Sequence, residues 1–220
     1  MSMSMSMLVL SIASAAVVSD PSIALKGQSV EEAAGMQQVA GGKARGPGAA
    51  RSIVFIVADD LGFNDVSFHG SAQIPTPALD ELAATGLVLD NYHAQPVCSP
   101  TRASILSGRH AIHHGIYMPF GQGSALRLNL SYTLLPRYLQ RHGYATHAVG
   151  KWHLGNNPKK DGPIQRGFDD FYGTMTGAGS FWDPYTLARN TEFTQVDSKD
   201  YYYTDKIGSE AVRQIETFAH

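Results

Sequence analysis

Ile53-Val54-Phe55-Ile56-Val57-Ala58 runs without a break into Asp59-Asp60-Leu61-Gly62. The apolar run is continuous and rich in β-branched residues. That predicts a strand buried on both faces, as in a parallel sheet. Two carboxylates sit at its end, and repulsion and desolvation oppose burying both as anions. A divalent cation would resolve the conflict, and oxygen-only donors favour calcium or magnesium. The carboxyl end of a parallel strand is also where α/β folds place their sites. The same residues equally read as an exposed Asp-Asp-x-Gly turn, and the pattern alone leaves both readings open.

Outward from this strand, punctuation residues mark further elements. Pro77 to Thr85 reads as a helix, with Thr76 as its cap, Pro77 in the first turn and Gly86 as its stop. Leu87 to Tyr92 is a second strand candidate. Ser99 to Ser107 is a short helix ended by Gly108, and Leu134 to His142 is another, stopped by Gly143. Ala145 to Val149 is a third strand. Thr204 to Ala219 is an amphipathic helix with Ile207, Ala211, Ile215 and Phe218 on one face. This alternation predicts an α/β sandwich on a mostly parallel sheet.

Residues 1–50 differ in character. Met7 to Val18 is apolar and is followed by Ser19, Asp20 and Pro21. It resembles the core of a signal peptide, though no positive charge precedes it. Gly41-Gly42-Lys43-Ala44-Arg45-Gly46-Pro47-Gly48 reads as a linker. The expected organisation is a leader and linker over 1–50, then one folded portion over 51–220. A length of 220 residues suffices for a core. The formal net charge of -2 gives no sign of a nucleic-acid partner. No apolar run reaches the roughly 20 residues of a membrane-spanning helix. A single cysteine excludes an internal disulfide and a thiolate zinc cluster. It is either a small buried hydrophobe or a chemical group.

That cysteine opens Cys98-Ser99-Pro100-Thr101-Arg102, followed by Ala103-Ser104-Ile105-Leu106-Ser107-Gly108-Arg109. Cys98 is placed just before a helix, whose N-terminus favours negative charge. Arg102 lies one turn further along the same face, within reach of an anion at position 98. Lys151 and His153, two apart, share a side if their segment is extended.

These blocks together resemble the sulfatase family. Cys98 to Arg109 is similar to its signature, Asp59-Asp60-Leu61-Gly62 to its first metal-binding motif, and Gly150-Lys151-Trp152-His153-Leu154-Gly155 and Arg166-Gly167-Phe168-Asp169 to two further blocks. The nearest resemblance is to arylsulfatases of the type that includes N-acetylgalactosamine-4-sulfatase, over Ser52 to the end. It implies a three-layer αβα sandwich, alkaline-phosphatase-like and incomplete at its C-terminus. It implies that Cys98 becomes formylglycine, that Asp59, Asp60 and modified Cys98 bind one calcium ion, and that Arg102 orients the formylglycine. Lys151 would contact sulfate, and His153 would be the base. The implied activity is hydrolysis of a sulfated small molecule or glycan after action of a formylglycine-generating enzyme, in a secretory, lysosomal or extracellular setting. A phosphonate or phosphate monoester hydrolase of the same superfamily is the alternative, and a non-catalytic truncated remnant is a third reading. The family's later metal ligands and its later His and Lys have no counterpart here. A hard cation wants six or more oxygens, so the expectation is a truncated chain with weak or no activity alone.

Other groups read as ordinary structure. His110, His113 and His114 suit a solvated loop or cleft lining, Tyr201-Tyr202-Tyr203 an edge strand or loop anchor, and Lys159-Lys160 a solvated turn.

Overall fold

The computed structural model describes residues 5–11, 52–196 and 198–218. These residues form strands β1 (Met5–Ser11), β2 (Ile53–Val57), β3 (Tyr144–Val149), β4 (Asp170–Thr174), β5 (Leu187–Arg189) and β6 (Glu192–Phe193). The helices are α1 (Pro77–Thr85), α2 (Cys98–Ser107), α3 (Ala111–His114), α4 (Leu135–Gln140) and α5 (Tyr203–Phe218). The strands make one sheet in the order β2-β1-β3-β4-β5-β6. Its first three pairings are parallel and its last two antiparallel.

Alternation along β3 builds the layers. Ala148 faces one core with Ala103 and Leu106 of α2, Phe171 of β4 and Trp152. Val149, one residue on, faces the opposite side and packs with Ile207 and Ala211 of α5. Helices therefore cover both faces of the sheet, as a parallel sheet requires.

Several expectations change in detail. β2 lies where the apolar run predicts it, but Ile53, Val54 and Ile56 are 38%, 48% and 38% exposed. It is the outermost strand among the described residues, so its apolar side chains are only partly covered. Met5–Ser11 falls in the stretch read as a leader; here it is a strand parallel to both neighbours, with Met7 level with Ile53 and Thr146. The rest of that leader and linker, 1–4 and 12–50, lies outside the described residues. Leu87 to Tyr92 forms no strand, since only residue 87 bridges and the segment has no ladder. On α5, Ile207 and Ala211 are buried, but Ile215 is 45% exposed and Gln214 is buried in its place. The side chain of Phe218 lies outside the described residues. A polar lock explains this face. Gln214 Nε2 donates to Asp170 Oδ2 at 2.8 Å, and Arg189 pairs with Glu210 at 2.6 Å. Tyr203, at the start of α5, accepts from the Thr174 N–H, and burial pushes its hydroxyl up to about 12.

The smaller of two compact units includes Asp60–Tyr92. It carries two short 3-10 turns, at Phe63–Asp65 and Ser67–His69, and α1. Thr76 precedes α1 as expected, but its hydroxyl donates to Asp80 and accepts from the Ser67 N–H rather than capping the helix.

The Arg166 to Asp169 turn is a structural tie in the larger unit. Buried Arg166 donates to the carbonyls of Leu128, Asn129 and Tyr132 at 3.0–3.2 Å. Gly167 has φ +106, and a Cβ there would meet the Arg137 backbone at 2.6 Å. Replacing Arg166 by Ala strands three carbonyls, and bonds from a charged donor are the stronger kind. Arg166→Ala should lower stability by about 3 kcal/mol, read as a lower midpoint in urea unfolding.

Candidate active site

Val97 is extended, with φ -143, and caps α2. Cys98 is the first residue of that helix rather than the residue before it, with Pro100 in the first turn. Gly108 ends the helix in the left-handed conformation at φ 64. Cys98 Sγ lies 3.2 Å from His153 Nδ1. His153 follows β3 and is held by its own N–H to the Met175 carbonyl at 3.0 Å. Its φ is 58, a sparsely populated value for a residue other than glycine.

Partners of the His153 ring fix its proton. Nε2 lies 2.8 Å from the Phe120 carbonyl. A carbonyl only accepts, so Nε2 carries the hydrogen and, in the neutral ring, Nδ1 presents a lone pair. That lone pair faces Cys98. Burial pushes the imidazole below its usual range, and the charges of Lys151 and Arg102 add to this against the Phe120 carbonyl and Asp59. Gly177 leaves room for the ring, because a Cβ there would meet His153 Cε1 at 2.2 Å.

Three charged groups complete the arrangement. Asp59, just past β2, receives Lys151 Nζ on Oδ2 at 2.6 Å. Arg102 Nη2 lies 3.6 Å from its other oxygen. Arg102 is buried, and its Nη1 donates to the Lys151 carbonyl. Burial works to raise the Asp59 carboxyl, but the Lys151 hydrogen bond and the two cations outweigh it and hold the group below its ordinary value. Among the described residues, Asp59 is the carboxylate that these two cations share beside position 98. Asp60 has a left-handed φ of 61, is exposed and belongs to the smaller unit. The structure thus gathers Asp59, Cys98, Arg102, Lys151 and His153 at the carboxyl ends of parallel strands.

Among the described residues, no three His, Cys, Asp or Glu side chains gather to hold a metal ion. Both Asp59 oxygens face cationic side chains. A hard dication takes six or more oxygens, so the described donors do not amount to a calcium shell.

The remaining groups serve structure. His114 is buried between Ser104 Oγ and the Ile116 N–H, and His110 accepts from the Ile112 N–H. Tyr201 is a buried anchor bonded to the Tyr172 hydroxyl. Lys159 and Lys160 lie in an exposed turn. Ser99, Phe120 and Gly177 touch the site without having been singled out. Phe120 acts through a backbone carbonyl, which any residue carries, whereas the glycine in Thr176-Gly177-Ala178-Gly179 is a readable sign of close approach.

A mixed sheet with its charged cluster at the carboxyl ends of parallel strands, facing a cysteine at a helix N-terminus, puts the candidate site where α/β proteins bind their ligands. The sulfatase family model matches residues 51–218, and the chain belongs to the sulfatase family. Arylsulfatase J of Mus musculus is 45% identical over 139 residues, covering 60% of this chain and 22% of that protein. N-acetylgalactosamine-6-sulfatase of Homo sapiens is 38% identical over 132 residues, covering 56% and 25%. The chain thus spans about a quarter of the length of these curated relatives. The crystal structure of Ps i-CgsB superposes with a TM-score of 0.65 at 30% identity, over 72% of this chain and 40% of that one. The PsFucS1 sulfatase from Pseudoalteromonas sp. shares the fold at a TM-score of 0.60 and 24% identity, over 72% and 39%. The architecture is that of these sulfatases, alkaline-phosphatase-like with a partial, mostly parallel sheet.

The His153 geometry sets a pH dependence. Unfolded, the ring takes its proton near 6.5, and folded it does so only at lower pH. The unfolded state then binds more protons over that window, so the stability tied to the neutral ring is whole above pH 6.5 and is lost as pH falls through the folded value. Histidine-labelled NMR titration should place the His153 midpoint below that of an ordinary histidine, with Nε2 protonated. Gly177→Ala should displace the ring and change the pH profile of Cys98 alkylation, followed with a thiol reagent on this single-cysteine chain.

Proposed function

We propose that the chain carries the nucleophile-bearing part of a sulfuric ester hydrolase of the arylsulfatase kind, with formylglycine formed from Cys98. One observation carries this reading: Nδ1 of His153 lies 3.2 Å from Cys98 Sγ, and the Phe120 carbonyl at Nε2 favours the tautomer in which Nδ1 carries no hydrogen. A base at that atom suits residue 98 as a proton donor.

A hydrated aldehyde at residue 98 would offer two hydroxyls on one carbon: the oxygen of one would bond sulfur as the ester S–O bond breaks and the alcohol leaves with a proton, and ionisation of the other would then break the carbon–O bond to sulfate and re-form the aldehyde. His153 Nδ1 takes that second proton, with Nε2–H steadied by Phe120. Arg102, held by the Lys151 carbonyl and Asp59, keeps positive charge one turn from the nucleophile. Lys151 presents its ammonium on the same rim, where an anionic ester needs fixed cations to lower repulsion. Calcium belongs to the proposal as the family's metal, with Asp59 and Asp60 as carboxylate donors of the right chemistry and further donors required.

The proposed substrate class is a sulfated small molecule or glycan. The solved structure of Ps i-CgsB in complex with k-i-k-neocarrahexaose, 29% identical to this chain, is a relative seen with an oligosaccharide. A formylglycine-generating enzyme would act on Cys98, along a secretory route to a lysosomal or extracellular destination. No helix of the described residues is long and apolar enough to cross a membrane.

Mass spectrometry of the peptide containing residue 98, from protein made in its native host, tests the reading. Formylglycine lowers the mass by about 18 Da, whereas the sulfenic, sulfinic and sulfonic products all raise it. The loss is the expected result. An unmodified thiol in correctly routed protein would remove the proposed nucleophile and, with it, the hydrolase reading.

A further inference from the structure

Ser99 is fully buried next to the nucleophile position. Its hydroxyl donates to the His153 carbonyl at 3.0 Å and accepts from the Phe120 N–H at 3.2 Å. The Phe120 carbonyl in turn accepts from His153 Nε2 at 2.8 Å. These three bonds close a circuit through Ser99, Phe120 and His153. One end of His153 is fixed by its backbone oxygen and the other by its ring.

We infer that Ser99 is a positioning residue that sets the tautomer of His153, by tethering the backbone N–H of Phe120, the residue whose carbonyl accepts the hydrogen bond from Nε2. This rests on the proposed role of His153 as the base at residue 98. A hydroxyl supplies one donor and two acceptor sites, so a serine satisfies both backbone groups at once. Alanine satisfies neither, and the freed Phe120 and His153 groups are buried, so the segment must shift to find other partners. His153 keeps a left-handed φ of 58, a conformation that persists when its surroundings over-determine it. The Ser99 bond to its carbonyl is one such restraint, and the wall at Gly177 is another. With Phe120 unmoored, Nε2 loses its fixed acceptor, and the proton divides between the two ring nitrogens. Nδ1 then faces residue 98 as a base only part of the time.

The test uses the full chain made in a host without the cysteine-modifying enzyme, so that Cys98 remains a thiol. Nitrogen-resolved NMR of the histidines reads the tautomer, and alkylation of Cys98 against pH reads what Nδ1 does to its neighbour. Wild type should show one His153 tautomer with hydrogen on Nε2 and slow exchange of the Phe120 amide. Ser99→Ala should show a mixture and a shifted alkylation profile, with a rate change of about fivefold at neutral pH, the scale of one lost neutral hydrogen bond. Ser99→Thr, which keeps the hydroxyl, should restore both. A Ser99→Ala protein that melts earlier but keeps the wild-type tautomer and alkylation profile would reduce Ser99 to a structural residue and overturn the inference. Should that variant not fold, the wild-type spectra decide: mixed tautomers, or a Phe120 amide exchanging like an exposed one, would also overturn it. None of these readouts needs ester turnover or formylglycine. The hydrolase reading can therefore fail on the residue-98 mass while this inference stands, and the reverse.

Discussion

The hydrogen bond from His153 Nε2 to the Phe120 carbonyl governs the chemical character of this site. A carbonyl has no proton to give, so the bond assigns the hydrogen to Nε2 and leaves Nδ1 as an acceptor. Had the partner been a hydroxyl or a carboxamide, either tautomer would have served. Burial then disfavours a second proton on the ring. The result is a neutral base directed at a side chain at the start of a helix, where backbone N–H groups and the helix dipole favour developing negative charge. The rest of the local structure supports that one bond. Glycine at 177 gives the ring its space, and a left-handed turn at His153 brings the ring round to face Cys98.

Charge balance around Asp59 is the second constraint. Arg102 is buried, and taking a guanidinium out of water is expensive unless its donors are used. Here they reach a carboxylate and the Lys151 carbonyl, so the same contacts that offset desolvation also fix the segment carrying Lys151 and His153. Lys151 remains near the surface and spans to Asp59 from the far side of β1. Asp59 thus joins two basic side chains that come from α2 and from the segment after β3.

Much of this was legible in the sequence, and the reasons for what was not are physical. Strand β3, helix α1 and the end of α2 follow from apolar runs bounded by Pro and Gly, whose constraints are local. β2 was placed correctly but its two-sided burial was not, because sheet order decides which strand is outermost and no local pattern encodes order. Leu87 to Tyr92 has strand-like composition, but a strand needs a ladder, and among the described residues this segment bridges only at residue 87. On α5 the 3.6 period picked Ile215, while Gln214 takes the buried position because Asp170 offers it a polar partner. Within the site, Cys98, Arg102, Lys151 and His153 announced themselves as side chains in motifs. Phe120 could not, since its contribution is a peptide oxygen.

The segment Lys151-Trp152-His153, which leaves β3 and ends in the left-handed turn at His153, serves both structure and chemistry. Trp152 turns inward, donating its indole N–H to the Asp161 carbonyl at 3.0 Å and packing against Phe168. Its backbone N–H bonds to Thr174, continuing past β3 the pattern that links β3 to β4. The residues on either side reach the other way, Lys151 toward Asp59 and His153, through its left-handed turn, toward Cys98. A large aromatic ring held by the core gives this stretch little freedom to slide along the sheet, since a slip of one residue would bury the charged neighbours and expose the indole. The position of the base relative to residue 98 is thus set by the hydrophobic core as firmly as by the polar circuit, and the two sets of forces act on adjacent residues of the same strand extension.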